Sequence, residues 1–140
     1  MKEQVEILVA DDEQEIRSLL GLMLKNRGYT NITFACDGLG AIDVMQQKSL
    51  DLAFLDINMP GIDGISVLKH GMELNASCFY VIVSAQSDLH SVKDVIKAGA
   101  RGFIVKPFTE RKVVDLLGKF EQTYVDAAQS FEALFKSGAI

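Results

Sequence analysis

The chain has 140 residues, 49% of them hydrophobic and 24% charged, which is the mix of one ordinary globular domain. This excludes disordered, collagen-like and low-complexity classes, and a chain of this size buries roughly 70% of its unfolded surface without staples. Its 14 Lys and Arg against 19 Asp and Glu leave a net charge of −5, the wrong sign for gripping a polyanion, so no direct nucleic-acid partner is expected.

The amino terminus, Met-Lys-Glu-Gln-Val-Glu, lacks the apolar stretch of a secretory signal. The longest apolar runs, such as 78–83, have strand length, so no membrane partner is expected and the cytoplasm is the expected location. Cys36 and Cys78 show neither CxxC nor Cys/His spacing. Between a disulfide or metal pair and two small buried hydrophobes, the second reading is preferred, in a reducing compartment.

In chain order, residues 5–10 (VEILVA) read as a strand. Residues 13–27 place Ile16, Leu19, Leu20 and Met23 at helical spacing, with Gly28 as a natural stop. A short strand over 32–35 precedes a helix over 38–47, for which Asp37 is the candidate cap. Residues 52–55 form a strand without alternation, and 64–73 a helix. The β-branched and aromatic run 79–83 is a strand. A helix over 88–98 follows, with Ser87 as cap and Gly99 as stop, then a strand over 102–105. From Glu110 the pattern is helical almost to the end. Five strands alternating with five helices, the strands being mostly continuous apolar runs, imply a parallel sheet covered on both faces. Pro60 and Pro107 follow strands rather than interrupting them.

Residues with chemistry stand at the ends of these strands. Asp11 and Asp12 follow the first, Asp56 the third, Ser84 the fourth and Lys106 the fifth. In an open parallel sheet, ligands bind beyond the carboxyl ends of the strands, where strand order reverses. If the strands are neighbours, three carboxylates, a hydroxyl and an ammonium share one small volume. Crowded carboxylates persist only where protons or a cation offset their charge. No His or Cys stands with them, so an all-oxygen set suited to Mg²⁺ or Mn²⁺ is expected. Lys106 and Ser84 supply what a phosphoryl group needs, a positive charge and a hydroxyl donor. Singly, each residue has an ordinary explanation: Asp12 a cap for the helix at Glu13, Lys106 a solvated lysine, Phe103 a core aromatic. Their joint placement is what points to phosphoryl chemistry.

Four stretches carry a family resemblance: Leu8-Val9-Ala10-Asp11-Asp12-Glu13, Asp56-Ile57-Asn58-Met59-Pro60-Gly61-Ile62-Asp63-Gly64, Ser84-Ala85, and Gly99-Ala100-Arg101-Gly102-Phe103-Ile104-Val105-Lys106-Pro107-Phe108. In this order they resemble the receiver domain of two-component response regulators over roughly residues 5–122. The resemblance implies a flavodoxin-like (βα)5 doubly wound α/β fold with strand order 2-1-3-4-5. It implies that Asp56 accepts a phosphoryl group from the phosphohistidine of a sensor histidine kinase or histidine phosphotransfer protein. Mg²⁺ would be bound by Asp12 directly, by Asp11 mainly through water, by Asp56, and by the backbone carbonyl of Asn58. Ser84 and Lys106 would hold the phosphoryl group, and Lys106-Pro107 would be cis. Phe103 would be a switch aromatic that turns inward once Ser84 moves. The change would reach the face built from 87–98, 101–105 and the last helix, and so an output domain or partner. The family more often has Thr where Ser84 stands and often Tyr where Phe103 stands. Here the hydroxyl is kept and the phenol is not.

Asn58 and Gln86 flank the site as neutral amides with weak general-base ability, so slow to moderate self-dephosphorylation is expected. Ala85 is small and leaves the group reachable. Such a protein assists its own modification rather than turning over a substrate. A haloacid-dehalogenase-type phosphatase wants a second Asp two residues after its nucleophile, where Asn58 stands. A flavin carrier wants a glycine- and hydroxyl-rich loop after the first strand, where Asp11-Asp12-Glu13 would repel phosphate. A dimerising scaffold independent of phosphorylation stays open as the alternative.

Val113, Leu117, Phe120, Tyr124, Ala127, Phe131 and Leu134 recur at steps of 4 and 3, a heptad seam. The organisation expected is a receiver domain over 1–122 and a helical extension over 123–140. Phe120, Tyr124, Ala127, Phe131 and Leu134 would serve a homodimer or a connector, or else the tail folds back on its own domain. Gly118 weakens this helix by about 1 kcal/mol.

Overall fold

The computed structural model describes residues 2–85 and 92–138. Its strands are β1 (Glu6–Ala10), β2 (Asn31–Ala35), β3 (Leu52–Asp56), β4 (Phe79–Ala85) and β5 (Gly102–Lys106). Its helices are α1 (Gln14–Asn26), α2 (Gly38–Gln47), α3 (Gly64–Leu74), α4 (Val92–Lys97) and α5 (Glu110–Lys136). All strand pairs are parallel, and the order is β2-β1-β3-β4-β5, the doubly wound arrangement expected from the sequence. The chain steps from β1 outward to β2, crosses back to β3 and then proceeds outward again. The order therefore reverses between β1 and β3, and a crevice opens beyond their carboxyl ends. The strands and the first four helices make one compact unit to Phe108, and a second unit begins at Thr109.

The middle strands are buried on both faces. Every residue of β3 is buried, as are six of the seven in β4. Leu8, Ala10, Ala53, Leu55, Tyr80 and Ile82 form one cluster with Ala41 and Met45 of α2, Val67 and Leu68 of α3 and Val95 of α4. The alternate residues Ile7, Val9, Phe54, Val81 and Val83 point to the other face and are also buried. The edge strands β2 and β5 are only partly covered, and Phe34 and Phe103 stay exposed.

Three strands run one or two residues past the expected ends, to Asp56, Ala85 and Lys106. Apolar runs mark where side chains are greasy, but the backbone ladder continues under polar ones: Asp56 pairs with Val83, Ser84 with Val105 and Ala85 with Lys106. Asp37 caps α2 as expected, accepting from the Gly40 N–H at 2.7 Å. Asp63 does the same for α3 through Ser66, at 2.8 Å. Asp12 does not cap α1; Glu13 occupies that position with no side-chain cap, and the Glu13 N–H donates to Asp11 Oδ1 at 2.9 Å. Ser87 and residues 88–91, expected to cap and open the fourth helix, lie outside the described residues.

Both cysteines are free. Cys78 is buried, which pushes its thiol up to about 12. Cys36 is exposed, contrary to the expectation of two buried residues, because it follows the last residue of the edge strand β2.

Helix α5 runs for 27 residues and is unbroken across 122–123. Its buried residues are Val113, Leu116, Leu117 and Phe120. The seam thus divides: its first three members are buried, Tyr124 is half-buried with its ring 5.8 Å from that of Phe120, and Ala127, Phe131 and Leu134 are exposed. A Cβ at Gly118 would meet open space. Gly118→Ala is therefore expected to stabilise the helix by about 1 kcal/mol, read as a raised thermal unfolding midpoint.

Candidate functional site

The site is assembled where four strands end. Beyond β1, the Asp11 N–H donates to the carbonyl of Ala35 at 3.0 Å, which ties it to the end of β2. The Asp11 carbonyl accepts from Arg17 Nη1 at 2.7 Å. Its carboxylate is buried, while Asp12 and Glu13 project outward and are exposed. Asp56 ends β3 and is 2% exposed, with Oδ1 accepting the Asn58 N–H at 3.2 Å. Lys106, on β5, reaches past β4 to this group. Its Nζ lies 2.9 Å from Asp11 Oδ2, 3.1 Å from Glu13 Oε1 and 3.3 Å from Asp56 Oδ2. The peptide between Lys106 and Pro107 is cis. On β4, Ser84 is fully buried and, among the described residues, its Oγ has no hydrogen-bond partner.

Carboxylate oxygens of Asp11, Asp12, Glu13 and Asp56 lie within 4.8 Å of one another. Fully ionised, these four groups and Lys106 sum to −4 + 1 = −3. Such an excess holds protons or attracts a cation. Burial, and then the charge of Asp11, push the Asp56 carboxyl up to about 7, against the smaller pull of Lys106 and the Asn58 N–H. For Lys106, burial acts downward, but its contacts with Asp11 and Glu13 and the charges of Asp11 and Asp56 outweigh it and hold the ammonium above its usual value.

The sequence-predicted residues Asp11, Asp12, Asp56 and Lys106 thus meet in one cluster, and Ser84 stands on the strand between Asp56 and Lys106. Asn58 is exposed and touches Asp56 through its backbone. Phe103 is 42% exposed, on β5 beside Ile82. Gln86 lies outside the described residues. The seam residues Phe120, Tyr124, Ala127, Phe131 and Leu134 belong to α5 and are not members of this cluster. Glu13 was given no role by sequence reasoning, yet it joins both the acidic cluster and Lys106; its position directly after the acidic pair was the available signal.

The donor set fits a hard divalent cation: it is all carboxylate oxygen, partly open to solvent, with neither imidazole nor thiolate among its described members. Comparison with known proteins agrees. The family model described as response regulator receiver domain matches residues 7–118, and the chain belongs to that family. It is 34% identical to the chemotaxis protein CheY of Bacillus subtilis over 113 residues, 81% of this chain and 94% of that one. It is 32% identical to sporulation initiation phosphotransferase F of the same organism over 114 residues, 81% of this chain and 91% of that one. The solved structure of response regulator protein TrrA from Thermotoga maritima, in complex with Mg²⁺-BeF, superposes with a TM-score of 0.75 at 31% identity, covering 84% of this chain and 99% of that one. A receiver domain from Methanospirillum hungatei, at 22% identity and TM-score 0.80, covers 87% of this chain and 98% of that one and bears on the fold alone. This is a phosphorylation-dependent signalling domain, of a family that binds Mg²⁺ at an acidic pocket. Among the described residues, no helix is long and apolar enough to cross a membrane.

The raised Asp56 carboxyl has a consequence for stability. Its ordinary value is 3.8, so between about pH 4 and pH 7 the folded state binds the proton more tightly than the unfolded chain. Stability of the metal-free protein therefore falls as pH rises through that window. In EDTA, Asp56→Asn is expected to raise the unfolding free energy by on the order of 2 kcal/mol at pH 8, with the gain vanishing near pH 4. Urea unfolding at both pH values checks this, and equal stabilities at pH 8 would count against it.

Proposed function

We propose that Asp56 is the phosphoacceptor of this domain and that the rim around it handles the phosphoryl group. A phosphohistidine on a sensor histidine kinase or histidine phosphotransfer protein is the donor: an Asp56 oxygen bonds to phosphorus as the phosphorus–nitrogen bond breaks. Asp11, Asp12, Asp56 and the backbone carbonyl of Asn58 would hold Mg²⁺, or Mn²⁺ in its place, with Glu13 beside them. When bound, the ion neutralises charge on the phosphoryl oxygens and supports in-line transfer. Lys106 supplies an ammonium that already lies 3.3 Å from Asp56 Oδ2. The single observation that carries this reading is the convergence of Lys106 on Asp11 and Asp56, beside a fully buried Ser84 hydroxyl that has no partner among the described residues. A buried donor left unpaired costs about 1–3 kcal/mol, and an arriving phosphoryl oxygen would satisfy it.

The new dianion draws Ser84 and Lys106 into charge-assisted bonds, and these favour one of two pre-existing arrangements of the β4 end. Phe103, now outward, turns inward as Ser84 moves. The consequence is read on the surface of α4 and β5, where Ile96 and Phe103 are exposed, by an output domain or partner protein. The domain acts in the cytoplasm as a switch, assisting its own phosphorylation and dephosphorylation rather than turning over a separate substrate. The seam of α5 past Phe120 joins two copies or connects to the output partner.

Incubation with acetyl phosphate and Mg²⁺ is expected to add one phosphoryl group to the wild type and none to Asp56→Asn, read by intact mass. An unmodified wild type, or a modified variant, would place the acceptor elsewhere. The seam is tested by sedimentation of the full chain, with and without beryllofluoride and Mg²⁺. A dimer is expected to dissociate in Phe131→Glu/Leu134→Glu; a wild-type chain that stays monomeric under both conditions removes the dimer and leaves the connector.

A further inference from the structure

The loop of residues 57–63 carries Asn58 and leads from Asp56 into α3. Its carboxyl end closes on the backbone: the Gly64 N–H donates to the Ile57 carbonyl at 2.8 Å, and a Cβ on Gly64 would overlap the carbonyl of Asp56. A second glycine meets the same loop from a different element. Gly38, the first residue of α2, is buried, and a Cβ there would run into the carbonyl oxygen of Ile62 and lie 2.8 Å from Ile62 Cβ. These obstacles are a backbone carbonyl and a branched carbon beside it, neither of which swings aside like the tip of a long side chain. Helix α2 cannot easily retreat, since Ala41 and Met45 are buried in the core. The loop has more room to give at its exposed residues Asn58, Pro60 and Gly61, while Met59 is buried and Ile57 and Ile62 pack against the core.

We infer that Gly38 is a positioning residue: by allowing α2 to lie directly against the Ile62 peptide, it sets the height of the loop that carries Asn58 alongside Asp56. It touches neither substrate nor cation. This inference rests on the proposed role of Asp56 and Asn58, and it adds a residue on a separate helix that the acidic rim requires.

The test compares Mg²⁺ affinity, by calorimetric titration, in the wild type, Gly38→Ala, Gly40→Ala and Ile62→Gly. Gly40→Ala is the matched control, because its Cβ would crowd the Asp37 cap at 3.0 Å without meeting Ile62. Gly38→Ala is expected to weaken Mg²⁺ binding at least tenfold, the scale seen when the support of a metal ligand is lost, and to slow modification by acetyl phosphate similarly. Gly40→Ala should stay within threefold of wild type in affinity, although it also strains α2. Amide shifts of residues 57–63 in the metal-free protein should move in Gly38→Ala and not in Gly40→Ala. Equal losses in the two variants, or unmoved loop shifts in Gly38→Ala, overturn the inference. Should Gly38→Ala fail to fold, the double variant with Ile62→Gly decides, because glycine at 62 removes the branched carbon and frees that peptide to turn its carbonyl aside: the inference expects it to fold and bind Mg²⁺ within threefold of Ile62→Gly alone, and a double variant that fails in either respect overturns it. A wild type that binds Mg²⁺ but takes no phosphoryl group would defeat the proposed acceptor while leaving the Gly38 comparison readable.

Discussion

One ammonium set against four carboxylates governs the rim of this sheet. Lys106 touches three of them, within 2.9 to 3.3 Å. It is too little charge to neutralise the group and enough to keep it assembled. The remainder of the imbalance falls on Asp56, whose buried carboxyl is driven toward neutrality. The pocket is thereby tuned for a positively charged visitor, which offsets the excess negative charge that folding has gathered there. The buried hydroxyl of Ser84, without a partner among the described residues, adds a second unmet demand on the neighbouring strand.

Topology explains why these groups meet at all. Their positions in the chain are separated by up to 95 residues, Asp11 to Lys106, but all sit at the carboxyl ends of parallel strands. Parallel crossovers bring every such end to one edge, and the reversal between β1 and β3 opens the gap beside Asp11 and Asp56. The apolar middle strands are the foundation: Leu8, Ala53, Leu55 and Ile82 lie fully buried beneath the rim, so the acidic cluster is carried by the stiffest part of the sheet.

The alternation of strands and helices and the cap at Asp37 follow from apolar periodicity and short-range turn chemistry, which a sequence displays directly, whereas the sheet order was implied by the family resemblance and the cap at Asp63 emerged only in the structure. Asp11, Asp12, Asp56, Ser84 and Lys106 were legible because each ends an apolar run. Glu13 was not, since one more acid after an acidic pair resembles an ordinary first helical turn. Gly38 was hidden for a different reason: its importance lies in a backbone 24 residues further on, and no local pattern reports such a distant approach. Cys36 misled because apolar neighbours suggest burial, whereas an edge strand leaves its end uncovered. The seam of α5 kept its period but not its environment, buried as far as Phe120, half-buried at Tyr124 and exposed from Ala127 on.

That helix is also a ruler. At 1.5 Å per residue its 27 residues span about 40 Å, with no proline or other interruption to bend it. A rod of this kind transmits rotation as faithfully as displacement. Each residue turns it by about 100°, so a single added residue would swing anything fixed at the far end to a different side, whereas four would bring it nearly back. Any body attached there is addressed by angle as well as by distance.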